Sequence, residues 1–154
     1  MIPMTTQKSL GVIDYHGTSA RRTDYLYRVS LKCLIRNEDN EVLVVKEAGR
    51  EHWDLPGGGM DHGENLAKAI AREMKEEVDL EGDFDFQIIG VEDPAHLSKH
   101  NFWQIRLIFE VKPRNMLFNA GEDGDQVEFK DPNELKESNS DVEQLVYTYS
   151  QKLA

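Results

Sequence analysis

Residues 53–82 read WDLPGGGMDHGENLAKAIAREMKEEVDLEG, and this stretch decides how the rest of the chain is understood. Pro56-Gly57-Gly58-Gly59 forms a tight loop, since glycine reaches backbone angles barred to other residues. A helical pattern begins near Glu64 and runs to Val78. At about 100° per residue, Ala67, Ile70, Ala71, Met74 and Val78 share one apolar arc that should face a core. Glu73, Glu76 and Glu77 fall on the neighbouring arc, because positions three and four apart lie on one face. Lys68 and Lys75 point to solvent.

Three carboxylates this close repel one another by a few tenths of a kcal/mol per pair on an exposed helix. They also occupy the C-terminal half, where the helix dipole favours cations. A hard divalent ion reverses both penalties. Mg²⁺ takes oxygen ligands from few carboxylates and completes its shell with water and substrate phosphate. A glycine loop beside the acids lets a ligand approach the backbone closely, so the pattern suits a metal–phosphate site. On helix spacing alone, a solvated acidic face is the commoner outcome in so acidic a chain.

Outside this stretch, Tyr25 to Arg36 alternates as a strand. Tyr25, Tyr27, Val29, Leu31, Cys33 and Ile35 share one face, Arg28, Ser30, Lys32 and Arg36 the other, with Leu34 the exception. After the turn-rich NEDNE, Val42 to Val45 should return as the second arm of a hairpin. Phe84 to Val91 is a third strand. Asn101 to Lys112 alternates sharply, with Trp103, Ile105, Leu107, Phe109 and Val111 opposite Gln104, Arg106 and Glu110. Asp125 to Lys130 makes a short last strand. Ser140 and Glu143 have capping-box spacing and open a final helix whose stripe is Val142, Leu145, Val146, Tyr149 and Leu153. Mixed strands with one central and one terminal helix imply an α/β fold with helices on a mixed sheet. Residues 1–24 and 113–124 carry the least pattern.

Length and charge narrow the function. The 154 residues fit one domain, 1–154, with one main core. Hydrophobic residues make up 39%, which argues against long-range disorder. Twenty-nine acids against 18 bases give a formal charge of −11. With no basic stripe to displace counterions, polymeric DNA or RNA is a disfavoured partner. A small polyphosphate remains possible if a metal offsets the repulsion. Cys33 is the single cysteine, so no intrachain disulfide framework exists. The opening MIPMTTQKSLGV lacks a secretion-signal pattern, and no run approaches the roughly 20 apolar residues of a membrane span. The expected setting is the cytoplasm, with no membrane partner.

From Gly58 to Leu80 the chain reads Gly, five residues, Glu64, seven residues, Arg72-Glu73-Met74, one residue, Glu76-Glu77, one residue, Asp79-Leu80. This resembles the Nudix hydrolase box at every defined position but one, where Asp79 stands in place of glycine. That position ends the helix, where a left-handed residue is common, and aspartate tolerates the conformation better than most. Trp53 to Gly58 is similar to the family's lead-in, and Phe129 to Leu135 to the segment before its terminal helix. The resemblance covers most of residues 25–153. It implies an α/β/α sandwich around a mixed sheet, and a pyrophosphohydrolase acting on a small nucleotide-like diphosphate with Mg²⁺, or Mn²⁺ in its place. Carried over by position, Glu76 and Glu77 are the main metal ligands, with Glu73 a further ligand or water-orienting base. The Gly58 carbonyl completes the shell, and Arg72 holds Glu73 or Glu64 by a charge-assisted pair. A homodimer is implied by the resemblance only.

Many members use a base outside the box. Here Glu122, Asp123, Asp125 and Glu128 are available, with Asp125 favoured and Glu122 next, against the plain reading of an acidic surface loop. Arg28, Lys32 and Arg106 on polar strand faces are the expected phosphate or ribose contacts, and Phe102 the expected base contact. Trp103 and Cys33 fit core packing better. His96 and His100 lack a third ligand for zinc. The first choice of substrate is a (deoxy)nucleoside triphosphate. Alternatives are ADP-ribose or a nucleotide sugar, a non-catalytic nucleotide-binding regulator, and an isoprenoid-diphosphate isomerase needing a cysteine in the cleft.

Overall fold

The computed structural model describes Val12–Ile13 and residues 24–152. In chain order the elements are β1 (Val12–Ile13), β2 (Asp24–Tyr25), β3 (Tyr27–Leu34), β4 (Val42–Glu47), α1 (Leu66–Val78), β5 (Phe84–Val91), β6 (Ala95–Leu97), β7 (Phe102–Pro113), β8 (Gly124–Lys130) and α2 (Asp141–Ser150). A short 3-10 helix, Pro132–Leu135, precedes α2. Among the described residues, no helix is long and apolar enough to cross a membrane.

The expected hairpin between β3 and β4 does not form. β3 lies parallel to β7, in register from Tyr27↔Trp103 to Leu34↔Glu110. β4 instead pairs antiparallel with β8. β3 and β4 meet just at the turn, through the Arg36↔Val42 bridge and backbone bonds from Leu43 N–H to the Ile35 carbonyl (2.9 Å) and from Asn37 N–H to the Glu41 carbonyl (3.0 Å). The reason lies in residues 54–60, which wedge between them. Val45 and Asp54 exchange both backbone bonds on one side, while Leu31 and Cys33 donate to the carbonyls of Gly58 and Pro56 on the other. β7 carries β5 and β6 antiparallel as its further neighbours.

Helices cover both sides of this strand layer, giving the expected α/β/α order. On one side Leu31, Cys33, Leu43, Val45, Phe109 and Val111 pack with Ala69, Ile70, Met74 and Val78 of α1. On the other, Leu34, Val42, Val44 and Ile108 pack with Val146 and Tyr149 of α2. Leu34 breaks the polar alternation of its face because that face passes beneath α2 there. Cys33 is fully buried, and burial pushes its thiol above the usual range, so it is inert core and offers no thiolate to a cleft.

α1 is rotated from the orientation its apolar residues suggest. Ala67 and Ala71 are exposed, whereas Ala69, Ile70, Glu73, Met74, Glu77 and Val78 are buried. The buried arc is centred near Glu77, a turn of roughly 70° from the expected one at 100° per residue. The carboxylates therefore face inward. Asn65 caps the start by accepting the Lys68 N–H, and Asp79 ends the helix in the left-handed conformation at φ 53°.

Trp103 is 46% exposed and rests on His96 instead of the core. A 13-residue helix is about 20 Å long, whereas a 12-residue strand runs about 40 Å. The start of β7, with the adjoining Tyr27, therefore projects past the cover of α1. In α2, Val142 and Leu145 also stay largely exposed, and Leu153 lies outside the described residues. Ser140 caps α2 by accepting the Glu143 N–H at 3.4 Å. The Glu143 carboxylate leaves the capping box and accepts from Trp53 N–H at 2.9 Å and the Ser138 hydroxyl at 2.7 Å.

Candidate functional site

The glycine loop is built into the edge of β3. Leu31 N–H donates to Gly58 O at 2.8 Å, and Met60 N–H to Val29 O at 2.9 Å. Gly57 has φ +145°, and a Cβ there would lie 2.0 Å from the Leu31 carbonyl oxygen. At Gly58 a Cβ would meet the Glu73 carboxylate at 2.7 Å. Only glycine lets the loop, β3 and α1 meet this closely.

Glu77 reaches this loop from beneath, accepting the Gly57 N–H at 2.9 Å. Burial pushes its carboxyl up to about 8; Lys32 and the Gly57 N–H oppose the shift, and Glu73 and Glu47 add to it. Burial likewise raises Glu73, against the pull of Arg72. Arg72 is the hub of the cluster. It holds Glu64 through Nε at 2.7 Å and Nη2 at 2.9 Å, Glu73 at 2.9 Å, Glu76 at 3.3 Å and the Gly59 carbonyl at 2.9 Å. The bond from Arg72, with that from the Asp61 N–H, brings Glu64 down to about 2. Arg72 thus grips both of the acids expected of it.

Around these side chains lies a cavity of about 510 Å³. Glu73, Glu76 and Glu77 line it together with Glu47, Asp61, Glu122 and Asp123, against Arg28 and Arg72. With the acids turned to Arg72 and Gly57, no three His, Cys, Asp or Glu side chains among the described residues close on one point. The donor set nonetheless suits a hard cation. Seven carboxylates face two guanidinium groups, and among the described residues buried Glu77 has no ion-pair partner within salt-bridge distance. The Gly58 carbonyl spends one lone pair on Leu31 and keeps another.

The loop before β8 reaches the cavity through its backbone. Asn119, Gly121 and Asp123 donate their N–H groups to the carbonyls of Val78, Glu77 and Glu76, at 3.0, 3.0 and 2.9 Å. Cβ atoms at Gly121 and Gly124 would approach the Glu76 and Glu77 carbonyl oxygens to 2.2 and 2.4 Å. This docking brings Glu122 and Asp123 to the acids of α1. Asp125, the favoured candidate, is exposed on β8 and does not line the cavity, and Glu128 pairs with Lys130 at 2.8 Å. Glu47 escaped the sequence reading. Its signal was present, since Leu43, Val45 and Glu47 alternate onto the α1 side of β4.

Beyond the glycine ridge opens a second cavity of about 480 Å³. Its floor is the polar face of β3 and β7, where Arg28 lies beside Gln104 and Ser30 beside Arg106. Arg28, Glu47 and Gly57–Gly59 line both cavities. Lys32 also lines this cavity; it is nearly buried and donates to Asp54 at 2.8 Å and the Leu55 carbonyl at 3.2 Å, which anchors the wedge. Arg106 sits 3.5 Å from Glu92, with a buried Nε that has no partner. Phe102 is covered by the stacked ring of His100 and by the Arg28 guanidinium at 6.0 Å. His96 packs on Trp103 and contacts Asn101, apart from His100.

A cavity of about 780 Å³ lies elsewhere, at the far end of β3. It contains none of the glycine-loop or α1 acids, and Arg36 there is spent on Glu110 and the Ser150 and Lys152 carbonyls. Its lining is polar, with Asp39, Asn40, Asp131 and Asn133 among it, but it stands apart from the glycine loop and the α1 acids.

A family model of the NUDIX domain matches residues 26–149, spanning the glycine loop, the α1 acids and both helices. The chain belongs to the Nudix family. Among curated Nudix relatives, an RNA pyrophosphohydrolase of Ruthia magnifica subsp. Calyptogena magnifica is 39% identical over 87 residues, 56% of this chain and 47% of that protein. The 8-oxo-dGDP phosphatase NUDT18 of Mus musculus is 35% identical over 92 residues, 58% of this chain and 26% of that protein. The matched part thus spans less than half the length of either. A MutT protein from Methanosarcina mazei Go1 has the same fold at TM-score 0.65 and 21% identity, with 80% of this chain and 92% of that one covered. An ADP-ribose pyrophosphatase from Streptococcus suis follows at TM-score 0.52 and 20% identity, covering 80% and 92%. At such identities the likeness concerns the Nudix fold alone.

Proposed function

We propose that this Nudix chain is a Mg²⁺-dependent pyrophosphohydrolase, able to use Mn²⁺, that cleaves the diphosphate linkage of a nucleoside diphosphate joined to another group. A (deoxy)nucleoside triphosphate is the first choice of substrate. The observation that carries this reading is buried Glu77, short of a cation, beside a glycine ridge that opens onto an arginine-bearing floor. The names of the two curated relatives also describe phosphate cleavage on nucleotide material.

Glu73, Glu76, Glu77 and the Gly58 carbonyl would hold the cation, which when bound would neutralise phosphate oxygens and lower the pKa of water. The protein's own share is positioning, which is most of what phosphoryl substitution requires. Arg72 fixes Glu73 and Glu76 while Glu64 fixes Arg72. Arg28, reaching both cavities, binds the diphosphate across the ridge, and Arg106 serves the distal part of the substrate. Glu122 or Asp123 takes the proton of the attacking water. Water adds to one phosphorus, the bridging oxygen leaves with the electron pair, and two phosphorylated products result.

The −11 charge disfavours long contacts with polymeric nucleic acid, but the relatives named RNA pyrophosphohydrolase give a second reading. A single 5′ end on the floor would need only the local cations. The deciding experiment is a panel of nucleoside triphosphates, ADP-ribose, nucleotide sugars, dinucleoside polyphosphates and 5′-triphosphate RNA, assayed with Mg²⁺ or Mn²⁺. An E76Q/E77Q variant should fold yet lose turnover by orders of magnitude; normal turnover would reject the assignment. Silence across the panel with tight binding of one member favours a non-catalytic regulator. A homodimer and a cytoplasmic setting belong to the same reading, the first checked by light scattering and the second by fractionation of the source cells.

A further inference from the structure

The floor of the second cavity runs from the glycine ridge to the tip between β6 and β7. From Arg106 to Phe102 the strand advances about 13 Å, leaving room for a nucleoside beyond phosphates held at the ridge. Phe102, the expected base contact, is half-buried and lines the cavity, with its ring already engaged by neighbours. Its ring is stacked against His100, with centroids 5.7 Å apart and planes 27° apart, and Arg28 also lies over it. Two exposed imidazoles line this end of the cavity, His96 and His100; His96 rests on Trp103 and its Nε2 contacts Asn101, whereas among the described residues the His100 ring makes no hydrogen bond. Local bonds fix the backbone of the tip that carries the ring. His100 N–H donates to the Leu97 carbonyl at 3.0 Å, Asn101 takes the left-handed conformation at φ 53°, and Asn101 Oδ1 lies 3.1 Å from His96 Nε2. Ser98 and Lys99 flank the ring with polar groups on the same cavity.

We infer that His100 is the stacking platform for the nucleobase and that the 98–102 tip sets base specificity, with Phe102 as its backing. This rests on the nucleotide reading above, because it assigns the floor a nucleoside. Stacking on a ring tolerates any base, while Ser98 and Lys99, exposed on the same cavity, offer hydrogen bonds to the base edge.

The test compares ligands with and without a base. Calorimetric titration in Mg²⁺ uses ATP and GTP analogues bridged by an α,β-methylene, with inorganic tripolyphosphate as the base-free probe. His100→Ala should weaken binding of the analogues about tenfold or more and leave tripolyphosphate unchanged; His100→Phe should restore the analogues. Circular dichroism confirms that each variant is folded. Equal losses on both ligands, or no loss on either, overturn the platform. If wild type binds the analogues without turning over any panel substrate, the hydrolase reading fails while the platform is still judged by the same titration. If wild type binds tripolyphosphate as tightly as the analogues, the base contributes nothing and the platform fails while the hydrolase reading stands.

Discussion

Arg72 and Glu64 form a two-point grip, Nε to Oε2 at 2.7 Å and Nη2 to Oε1 at 2.9 Å. Glu64 lies just before the Asn65 cap of α1 and Arg72 lies two turns along it. The pair therefore ties the segment entering the helix to the face that carries the acids. Arg72 then spends its remaining donors on Glu73, Glu76 and Gly59.

Lysine cannot reproduce a planar fork. Both R72K and R72A should lower kcat/KM by about a hundredfold, since small misplacements of positioning groups cost that much. R72K should melt close to wild type. Steady-state kinetics beside thermal melts check this, and an R72K enzyme of normal activity would show that the hub is dispensable.

Glu77 predicts a stability effect of metal. Millimolar Mg²⁺ should raise the melting temperature, by an amount equivalent to about 2.7 kcal/mol when the free ion is a hundred times its Kd. Chelation should reverse it. The E77Q protein keeps an acceptor for the Gly57 N–H, so without metal it should melt at or above wild type and respond little to Mg²⁺. An undiminished response in E77Q would remove Glu77 from the ligand set.

The proposed proton acceptor is one of the acids docked at the end of α1, Glu122 or Asp123. E122A and D123A should separate: the one carrying the base should lose about 10²- to 10⁴-fold in kcat and, with it, the acid-side limb of its pH–rate profile, since a base acts only when deprotonated. D125A should behave as wild type. If D125A alone alters the profile, the backbone docking of residues 119–123 is not what delivers the base.

Glu143 joins α2 to the wedge through the Trp53 N–H. Burial raises its carboxyl, but the Trp53 and Ser138 donors outweigh that, and the folded-state value lies below the ordinary one. A depressed acid contributes stability above its unfolded pKa and loses it as pH falls through the folded value. Denaturant midpoints should therefore drop below about pH 4.3. E143Q should be less stable by about 1–2 kcal/mol at pH 7, with a shallower acid limb. Parallel limbs in both proteins would mean that other carboxylates govern the acid transition.

How much was legible follows from where the determinants sit. Helix periodicity fixes Arg72, Glu73, Glu76 and Glu77 within a few residues of one another, so the acidic cluster could be read directly. The rotation of α1 could not, because placing Glu73 and Glu77 in the buried arc opposes the apolar pattern. Strand positions were readable from alternation, but the β3–β7 pairing was not. It joins residues about 75 apart in sequence, as in Tyr27↔Trp103 and Leu34↔Glu110, and no local pattern announces a parallel partner. The wedge at 54–60 displaced the hairpin for the same reason. The polar face that carries Lys32 was legible; its partner, Asp54, is 22 residues away and was not.

The segment at 119–123 is fastened to α1 by main-chain groups, with glycines at 121 and 124 making the close approach. Nothing in that attachment depends on which side chains stand at 122 and 123. Those two positions are consequently open to exchange: an acid can be moved, shortened or replaced by histidine while the platform beneath stays put. The segment is a ready-made cassette for retuning the reaction, or for silencing it, without rebuilding the scaffold.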